Sequence, residues 1–428
     1  MRRVSLKILA LLMAGSIFAS SGNAASEILV KPGERLIFFG DSITWMGLYT
    51  IPLTSYLTLR YPELPFDSLL NAGVPGNTAN DGLKRLQSDV LDQKPTLVTV
   101  SFGINDCRFA PRGTNTCPVF FAAMNEIVTK LKAAGVRVLV LSPGCVDPDG
   151  TGNKLWYKTP EDCQAANATL ERMTEGLKNL AASNDVLFCD LFHPMLAVQT
   201  QLKADQPGFT MIADGLHPDD FGACIMAATI LKSLGVDRPA SSAAIDIARG
   251  TTVTDHCRIA ALQVSSNLVS FSRTDELLPI AVVNLRNQKS AMTALARFPE
   301  WKNWNSYGLC VRGLAAGKWH VSASGTEDVG VFSAEELAAG VDLAPHNGPW
   351  LFFAEQVNKF EISLLGRRRV VAERGRDFVN WVPGSLMPDA VALRTKIEAT
   401  FDLEARHRGD VMQAVPAWQW KLKRLENK

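Results

Sequence analysis

The sequence predicts an α/β protein in which helices cover both faces of a parallel sheet. Between residues 34 and 238, short and nearly continuous apolar runs recur: "RLIFF", "FDSLL", "TLVTVSF", "VRVLVLS" and "VLFCDLF". Between these runs, apolar residues recur every three or four positions, which is the period of a helix with one buried face. Buried strands that alternate with helices are typical of a parallel sheet.

Three of the intervening helices are predicted from apolar stripes. The stripes are Leu83, Leu86, Val90 and Leu91; Phe120, Met124, Ile127, Val128 and Leu131; and Ile225, Met226, Ile230 and Leu234. In parallel sheets of this kind, ligands bind at the carboxyl ends of the strands. We therefore expect the chemistry of the protein to lie where the apolar runs end.

The chain changes character after about Arg238, where a segment rich in small residues predicts a linker. We predict a signal peptide over 1–24, a catalytic domain over 25–238, a β-rich accessory domain over 239–365 and a helical C-terminal segment over 366–428. Within the accessory domain, "GLAAGKWHVSASGTEDVGVFS" predicts two strands joined by a turn near Gly325. Trp418 and Trp420 are expected to pack a C-terminal helix against the body of the protein.

Charge and the N-terminal residues bear on partners and location. The 428 residues include 44 basic and 43 acidic ones, a net charge of +1, which is not the basic surplus expected of a nucleic-acid-binding protein. Basic residues precede an apolar run over 8–19 and a stretch of small residues, the pattern of a secretory signal peptide. We expect cleavage after Ala24, or after Ala25, and a secreted or periplasmic protein. The run is shorter than the roughly 18 residues that span a bilayer, so no stable membrane insertion is expected. The sequence says nothing about the oligomeric state.

Eight cysteines follow the predicted signal peptide, without the spacing of a zinc site. We expect no metal and no cofactor. Since disulfides form in oxidising compartments, we predict bridges Cys107–Cys117 and Cys145–Cys163, each closing a local loop. Cys189 and Cys224 lie in apolar runs, where buried thiols are the alternative.

Polar residues gather at the ends of the predicted strands. Ser42 follows the first strand, Gly76 follows the second and Asn105 follows the third, while Asp214 and His217 precede the last helix of this part. Taken singly, each has a structural explanation as a helix cap, a turn or a surface residue. Together they supply every group that an acyl-transfer site requires.

In such a site His217 accepts the proton of the Ser42 hydroxyl, and Asp214 orients the imidazole. The tetrahedral intermediate then needs hydrogen-bond donors for its oxyanion. The backbone amides of Ser42 and Gly76 and the side-chain amide of Asn105 are the candidate donors. Glycine at position 76 permits a positive φ or a close approach of the backbone.

These segments, in this order, resemble the sequence blocks of the SGNH hydrolases, also called GDSL-like lipases and esterases. The stretch 40–43, "GDSI", is similar to the nucleophile block, although Ile43 replaces the usual leucine. "GIND" over 103–106 and "DGLH" over 214–217 are similar to the blocks of the oxyanion asparagine and of the Asp-x-x-His pair. The resemblance implies a flavodoxin-like three-layer α/β/α sandwich with about five parallel strands. It also implies hydrolysis of carboxylic esters through an acyl-serine intermediate, without metal.

The substrate is less well determined by the sequence. Export, the β-rich section and tryptophans near the site favour a carbohydrate O-acetylesterase that acts on an acetylated polysaccharide or glycan. Asp41, Trp45 and Trp156 are the candidate substrate-binding residues. A lipase, lysophospholipase or aryl esterase with a longer acyl preference is the alternative, and a non-catalytic binding protein on a hydrolase scaffold is the second alternative. No Gly-x-Ser-x-Gly, Ser-x-x-Lys or His-Glu-x-x-His motif is present, which argues against α/β-hydrolases, β-lactamase-like enzymes and zincins.

Overall fold

The computed structural model describes a large part of the chain. The described residues are 29–62, 66–108, 116–150, 157, 159–281, 291–298, 300–324, 326–359, 361 and 415–425. The predicted signal peptide, Trp156 and Gly325 lie outside these residues.

The first part of the chain contains a five-stranded parallel sheet flanked by helices, which confirms the predicted α/β sandwich. Its strands are β1 (Glu34–Gly40), β2 (Phe66–Gly73), β3 (Leu97–Ser101), β4 (Arg137–Leu141) and β5 (Leu187–Cys189). Its helices are α1 (Ser42–Met46), α2 (Thr50–Arg60), α3 (Ala79–Asp89), α4 (Ile104–Arg108), α5 (Cys117–Ala133), α6 (Pro160–Ser183), α7 (Phe192–Asp205) and α8 (Asp220–Ser233), with a 3-10 turn at Leu91–Gln93. Each of the five apolar runs forms a strand, and the three stripes fall on α3, α5 and α8 or at their ends.

Side-chain caps explain where several of these helices begin. Thr78 and Asp81 form a reciprocal capping box at the start of α3, as Thr159 and Asp162 do at the start of α6. Asp219 caps α8 by accepting hydrogen bonds from two backbone amides of its first turn.

The strand order β2-β1-β3-β4-β5 is the flavodoxin-like order. In this order β2 lies on one side of β1, and β3, β4 and β5 follow one another on its other side. Gly40, the last residue of β1, pairs with Gly73 of β2 and with Ser101 of β3. The residues that follow these three positions must therefore meet at one edge of the sheet.

Two further sheets follow in the chain, so the β-rich character predicted for this part is confirmed. One has the order β13-β10-β6-β7 and the other the order β12-β11-β14-β9-β8. Their strands are β6 (Ser242–Asp246), β7 (Thr251–Asp255), β8 (Cys257–Val264), β9 (Leu268–Asp275), β10 (Gly308–Arg312), β11 (Lys318–Ala323), β12 (Thr326–Ser333), β13 (Val341–Asp342) and β14 (Trp418–Arg424). Helices α9 (Ala291–Leu295), α10 (Trp301–Trp304) and α11 (Ala334–Ala339) accompany them, as does a helix over 349–359. The predicted hairpin is the antiparallel pair β11–β12.

The prediction of a helical C-terminal segment is wrong for Trp418–Arg424, which form the central strand of the second of these sheets. Apolar and polar residues alternate along "WQWKLKR", which is the period of a strand rather than of a helix. The ring of Trp420 stacks parallel to two others, with centroid distances of 6.0 Å to Phe271 and 5.4 Å to Trp350. Most of the remaining residues of 366–428 lie outside the described part.

Helix α2 joins the first part of the chain to the β-rich part. Every residue of α2 is buried. The Tyr56 hydroxyl donates to the carbonyl of Arg238 at 2.8 Å, and Arg60 Nη2 donates to Asn305 Oδ1 at 2.9 Å. Helix α2, which would otherwise lie on the outside of the sandwich, is therefore buried between the two parts of the chain. The domain boundary at 238/239 stays a prediction.

The predicted disulfides need correction. All eight cysteines lie in the described part of the chain, and none of them forms a disulfide. Burial raises the pKa of Cys107 and of Cys145 to about 12, which keeps both thiols protonated and unreactive. Thiols in such surroundings pack as small apolar groups.

Among the described helices, none is long and apolar enough to cross a bilayer.

Candidate active site

The junction between β1 and α1 places Ser42 at the carboxyl edge of the sheet. Asp41 caps α1, because its Oδ1 accepts a hydrogen bond from the amide of Ile43 at 2.9 Å. The cap is therefore Asp41, and the Ser42 hydroxyl is left for another partner. A Cβ at Gly40 would lie 2.3 Å from Thr44 Oγ1, so this tight junction requires glycine.

Helix α1 packs directly on the end of β2. A Cβ at Gly73 would lie only 2.2 Å from the backbone nitrogen of Trp45. The buried Asn71 fixes the same contact, since its Nδ2 donates to the carbonyl of Thr44 at 2.6 Å and its Oδ1 accepts from the amide of Gly73 at 2.9 Å. Asn71 is not among the predicted site residues, although an asparagine in the apolar run "LLNAG" is a signal that could have identified it.

The structure brings together the three residues predicted to carry the chemistry. Ser42 Oγ lies 2.8 Å from His217 Nε2, and His217 Nδ1 lies 2.7 Å from Asp214 Oδ2. The other oxygen of Asp214 accepts from the amides of Leu216 at 2.9 Å and His217 at 2.7 Å. One short loop therefore aligns both the imidazole and its carboxylate.

The hydrogen bonds also set the charge of Asp214. Partial burial alone would raise the pKa of its carboxyl. The bonds from the His217 ring, the His217 amide and the Leu216 amide outweigh burial and lower that pKa below its usual value. An ionised Asp214 accepts a hydrogen bond from the Nδ1–H of His217, which leaves the Nε2 lone pair directed at Ser42.

The loop after β2 presents Gly76. Residues 74–77 form a turn in which the amide of Asn77 donates to the carbonyl of Val74 at 3.3 Å. Pro75 takes the second position and Gly76, with φ +78°, takes the third, as in a type II turn. Gly76 is exposed, so its amide can reach a bound molecule.

Asn105 lies in α4, where only 1% of it is exposed. Its Nδ2 donates to the carbonyl of Asn77 at 3.0 Å, which connects the loops after β2 and β3. The neighbouring Asp106 accepts from the amide of Ala79 at 3.1 Å, and burial raises the pKa of Asp106 to about 6. Gly76 and Asn105 therefore belong to one connected structure at the edge where Ser42 lies.

The three predicted substrate-binding residues have different outcomes. Asp41 is only 3% exposed, burial raises the pKa of its carboxyl to about 7, and its Oδ1 caps α1; its contact with substrate stays a prediction. Trp45 is half-buried beside Ser42, and its contact with substrate stays a prediction. Trp156 lies outside the described residues.

A second Asp-x-x-His pair, which the sequence analysis missed, follows β5. His193 Nδ1 lies 2.7 Å from Asp190 Oδ2, and the His193 amide donates to Asp190 Oδ1 at 3.1 Å. This local geometry matches that of the Asp214–His217 pair. However, Nε2 of His193 faces Glu171, with Oε1 at 3.6 Å. The fold therefore directs one of two similar pairs at the serine.

A serine hydroxyl that is hydrogen-bonded to a carboxylate-oriented histidine, at the carboxyl edge of a parallel sheet, defines a serine hydrolase. Residues 38–223 match the GDSL-like Lipase/Acylhydrolase family. This segment of the chain is a GDSL-like lipase/acylhydrolase domain, and the protein is a carboxylic ester hydrolase.

Comparisons with individual proteins agree with this class. The chain is 25% identical over 229 residues to an acetylxylan esterase of Geobacillus stearothermophilus, a match that covers 49% of this chain and 97% of that protein. It is also 25% identical over 215 residues to an isoamyl acetate-hydrolyzing esterase of Saccharomyces cerevisiae, covering 46% of this chain and 85% of the relative.

One solved structure is similar over both parts of the chain. It is that of a gut microbial diltiazem-metabolizing enzyme, with a TM-score of 0.80 and 21% sequence identity. The match covers 92% of this chain and 98% of that one. At this identity it shows a shared fold, which includes the additional β-sheets.

Proposed function

We propose that this hydrolase is an exported carbohydrate O-acetylesterase in which Ser42 is the nucleophile, His217 the general base and Asp214 the group that orients it. The observation that carries the proposal is the chain of hydrogen bonds from Ser42 Oγ to His217 Nε2 at 2.8 Å and from His217 Nδ1 to Asp214 Oδ2 at 2.7 Å.

In the first half-reaction, Ser42 Oγ forms a bond to the ester carbonyl carbon while its proton moves to His217 Nε2. The carbonyl oxygen becomes an oxyanion, which accepts hydrogen bonds from the amides of Ser42 and Gly76 and from the side chain of Asn105. When the intermediate collapses, the bond to the leaving alcohol breaks. His217 gives its proton to that alcohol, and an acyl-serine remains.

In the second half-reaction, water replaces the alcohol. His217 takes a proton from the water as its oxygen bonds to the acyl carbon, and the same donors stabilise the second oxyanion. Collapse breaks the bond to Ser42 Oγ, His217 returns the proton to the serine, and the carboxylic acid leaves.

The names of two relatives support acetate esters as the substrate class. One relative is an acetylxylan esterase and the other hydrolyses isoamyl acetate. The first of these favours a carbohydrate as the alcohol, in agreement with the export predicted from the N-terminal residues.

The test is hydrolysis of a nitrophenyl ester series from acetyl to dodecanoyl by the wild type, Ser42→Ala, His217→Ala and His193→Ala. We expect a preference for acetyl and a loss of turnover by several orders of magnitude in the Ser42 and His217 variants. The His193 variant is the matched control, because it removes the same type of hydrogen-bonded histidine from outside the site. Full activity of Ser42→Ala would refute the proposed nucleophile.

The ester series also distinguishes the substrate classes. A preference for acetyl should be followed by release of acetate from acetylated xylo-oligosaccharides. A preference for long acyl chains would overturn the acetylesterase proposal in favour of a lipase or lysophospholipase.

Export is tested separately by expressing the full chain in a bacterium with a secretion pathway. Edman sequencing of the protein from the periplasm or the medium should find a new N-terminus after Ala24 or Ala25. Retention of uncleaved protein in the cytoplasm would contradict this part of the proposal.

A further inference from the structure

Arg85, on α3, is a buried arginine at the carboxyl edge of the sheet, with 7% of it exposed. Its three nitrogens donate to three separate segments of the chain. Nη2 donates to the carbonyl of Gly40 at 2.7 Å, Nη1 to the carbonyl of Ala72 at 2.6 Å, and Nε to Asn77 Oδ1 at 2.6 Å.

These acceptors are the points from which the active site is built. Gly40 is the last residue of β1, two positions before Ser42, and Ala72 lies at the end of β2. Asn77 follows Gly76 directly, and its carbonyl accepts the hydrogen bond from Asn105. One guanidinium group therefore connects the nucleophile strand to the oxyanion loop, residues 74–77, which carries Gly76 and contacts the side chain of Asn105.

We propose that Arg85 is a positioning residue, which holds this oxyanion loop in register with Ser42 during ester hydrolysis. The inference rests on the proposed roles of Ser42, Gly76 and Asn105. Arg85 itself does not touch the reacting atoms; it acts through Gly40 and Asn77.

Packing alone does not account for a charged residue here. Removing a guanidinium from water is costly, and an apolar side chain of similar volume would fill the space without that cost. Asp89 offsets the charge at 3.1 Å, and the ring of Phe39 lies 4.6 Å from the guanidinium carbon. What an apolar side chain could not supply is the set of three directed donors.

Lysine cannot supply that set either. Its ammonium is a compact point charge on a flexible stem, whereas the planar guanidinium presents its donors in a rigid fork. Arg85→Lys keeps the charge next to Asp89, but its single ammonium cannot donate to Gly40, Ala72 and Asn77 with the geometry of the three guanidinium nitrogens. The oxyanion loop then loses one of its attachments to β1.

Displacement of the oxyanion loop in Arg85→Lys should lower kcat. The bound ester carries no oxyanion, and the charge develops only as Ser42 attacks. Misplaced donors therefore weaken transition-state binding and leave substrate binding nearly unchanged. A displacement of about 1 Å in such a group costs on the order of 100-fold in rate.

The experiment compares Arg85→Lys with Arg60→Lys, which removes the fork of another fully buried arginine. Arg60 donates to Asn305 Oδ1 at 2.9 Å and to the carbonyl of Trp304, on the side of α2 that faces the β-rich part. We measure kcat and KM for nitrophenyl acetate, at a temperature well below the Tm of each variant. Arg85→Lys should lose on the order of 100-fold in kcat with KM within about threefold, while Arg60→Lys keeps kcat within about twofold despite a lower Tm.

A second variant keeps the proposal testable if Arg85→Lys does not fold. Asn77→Ala deletes only the contact between Arg85 and the oxyanion loop, and leaves both bonds to strand ends and the Asn77 carbonyl in place. We expect about a tenfold loss in kcat. A trifluoromethyl ketone, which forms a tetrahedral oxyanion on the serine, should bind more weakly to this variant by the same factor.

Two results would overturn the inference. One is a kcat within twofold of wild type in both Arg85→Lys and Asn77→Ala, and the other is an equal loss in Arg60→Lys. Failure of the proposed function has a different signature, which is undiminished activity in Ser42→Ala.

Discussion

Substituting Gly73 by alanine tests whether the packing of α1 on β2 positions the nucleophile. The added Cβ would lie 2.2 Å from the nitrogen of Trp45 and 2.7 Å from the carbonyl carbon of Thr44. Both are backbone atoms, so no rotation of a side chain can relieve the overlap. Restoring an ordinary contact of about 3.4 Å requires α1 to move by about 1 Å.

Such a movement takes Ser42 with it, because Ser42 is the first residue of α1, three positions before Trp45. The 2.8 Å separation between Ser42 Oγ and His217 Nε2 would change by a comparable amount. We expect kcat for nitrophenyl acetate to fall on the order of 100-fold. Crowding should also lower the free energy of unfolding by about 1 to 3 kcal/mol.

Gly176→Ala is the control for crowding away from the site. Its Cβ would lie 2.0 Å from the ring of Phe121, a side chain that can rotate. We expect it to change the Tm but to leave kcat within about twofold of wild type. If Gly73→Ala folds and keeps kcat within threefold, the argument that this glycine positions the nucleophile is refuted.

Three further predictions follow from the structure. Asp214→Asn should lower kcat by about 10³- to 10⁴-fold, because the amide no longer fixes the tautomer of the histidine, whereas Asp190→Asn should leave steady-state turnover unchanged; equal losses would contradict the assignment. The pKa of Asp41 is raised to about 7, so its carboxyl is protonated in the folded protein in a range where the unfolded chain is ionised, and stability falls as pH rises through that range. Asp41→Asn keeps the acceptor for the Ile43 amide but cannot ionise. In urea titrations the free energy of unfolding of the wild type should fall by about 2.5 kcal/mol more than that of Asp41→Asn between about pH 5 and pH 8. Equal losses in the two proteins would contradict the raised pKa. Trp420→Ala should destabilise the protein by about 3 to 5 kcal/mol in the same titrations, because it removes a buried ring that stacks with two others, and a loss below 1 kcal/mol would contradict this packing.

Much of the sheet and its active edge is encoded in short segments. The five apolar runs form the five strands because a strand buried on both faces must be apolar along its length. Gly76 has the positive φ that a turn of this type needs, and Pro75 precedes it, so four residues are sufficient to predict the turn.

The misassigned features depend on distant parts of the chain. The prediction of a C-terminal helix gave more weight to the composition of the region than to the alternation in "WQWKLKR". That alternation produces a strand because β9 and β11 are available on either side of it. Cys145 was predicted to pair with Cys163 because export favours disulfides, but in the fold both are free thiols buried in the core.

The sequence by itself determined the strands, the family resemblance of the first part of the chain and the types of residue proposed to carry the chemistry, because each depends on neighbours within a few positions. The resemblance to a sequence block pointed to Asp214 and His217, but only the tertiary structure shows that this pair faces Ser42 and that Asp190 with His193 does not. In both pairs the ring and the backbone amide of the histidine bond to the aspartate, so these local bonds do not distinguish them. The contact between Ser42 and His217 spans 175 positions, and it exists because the loop before α8 returns to the carboxyl end of β1. The role of Arg85 was decided in the same way, because its three acceptors lie on segments that only the folded sheet brings within reach of one side chain.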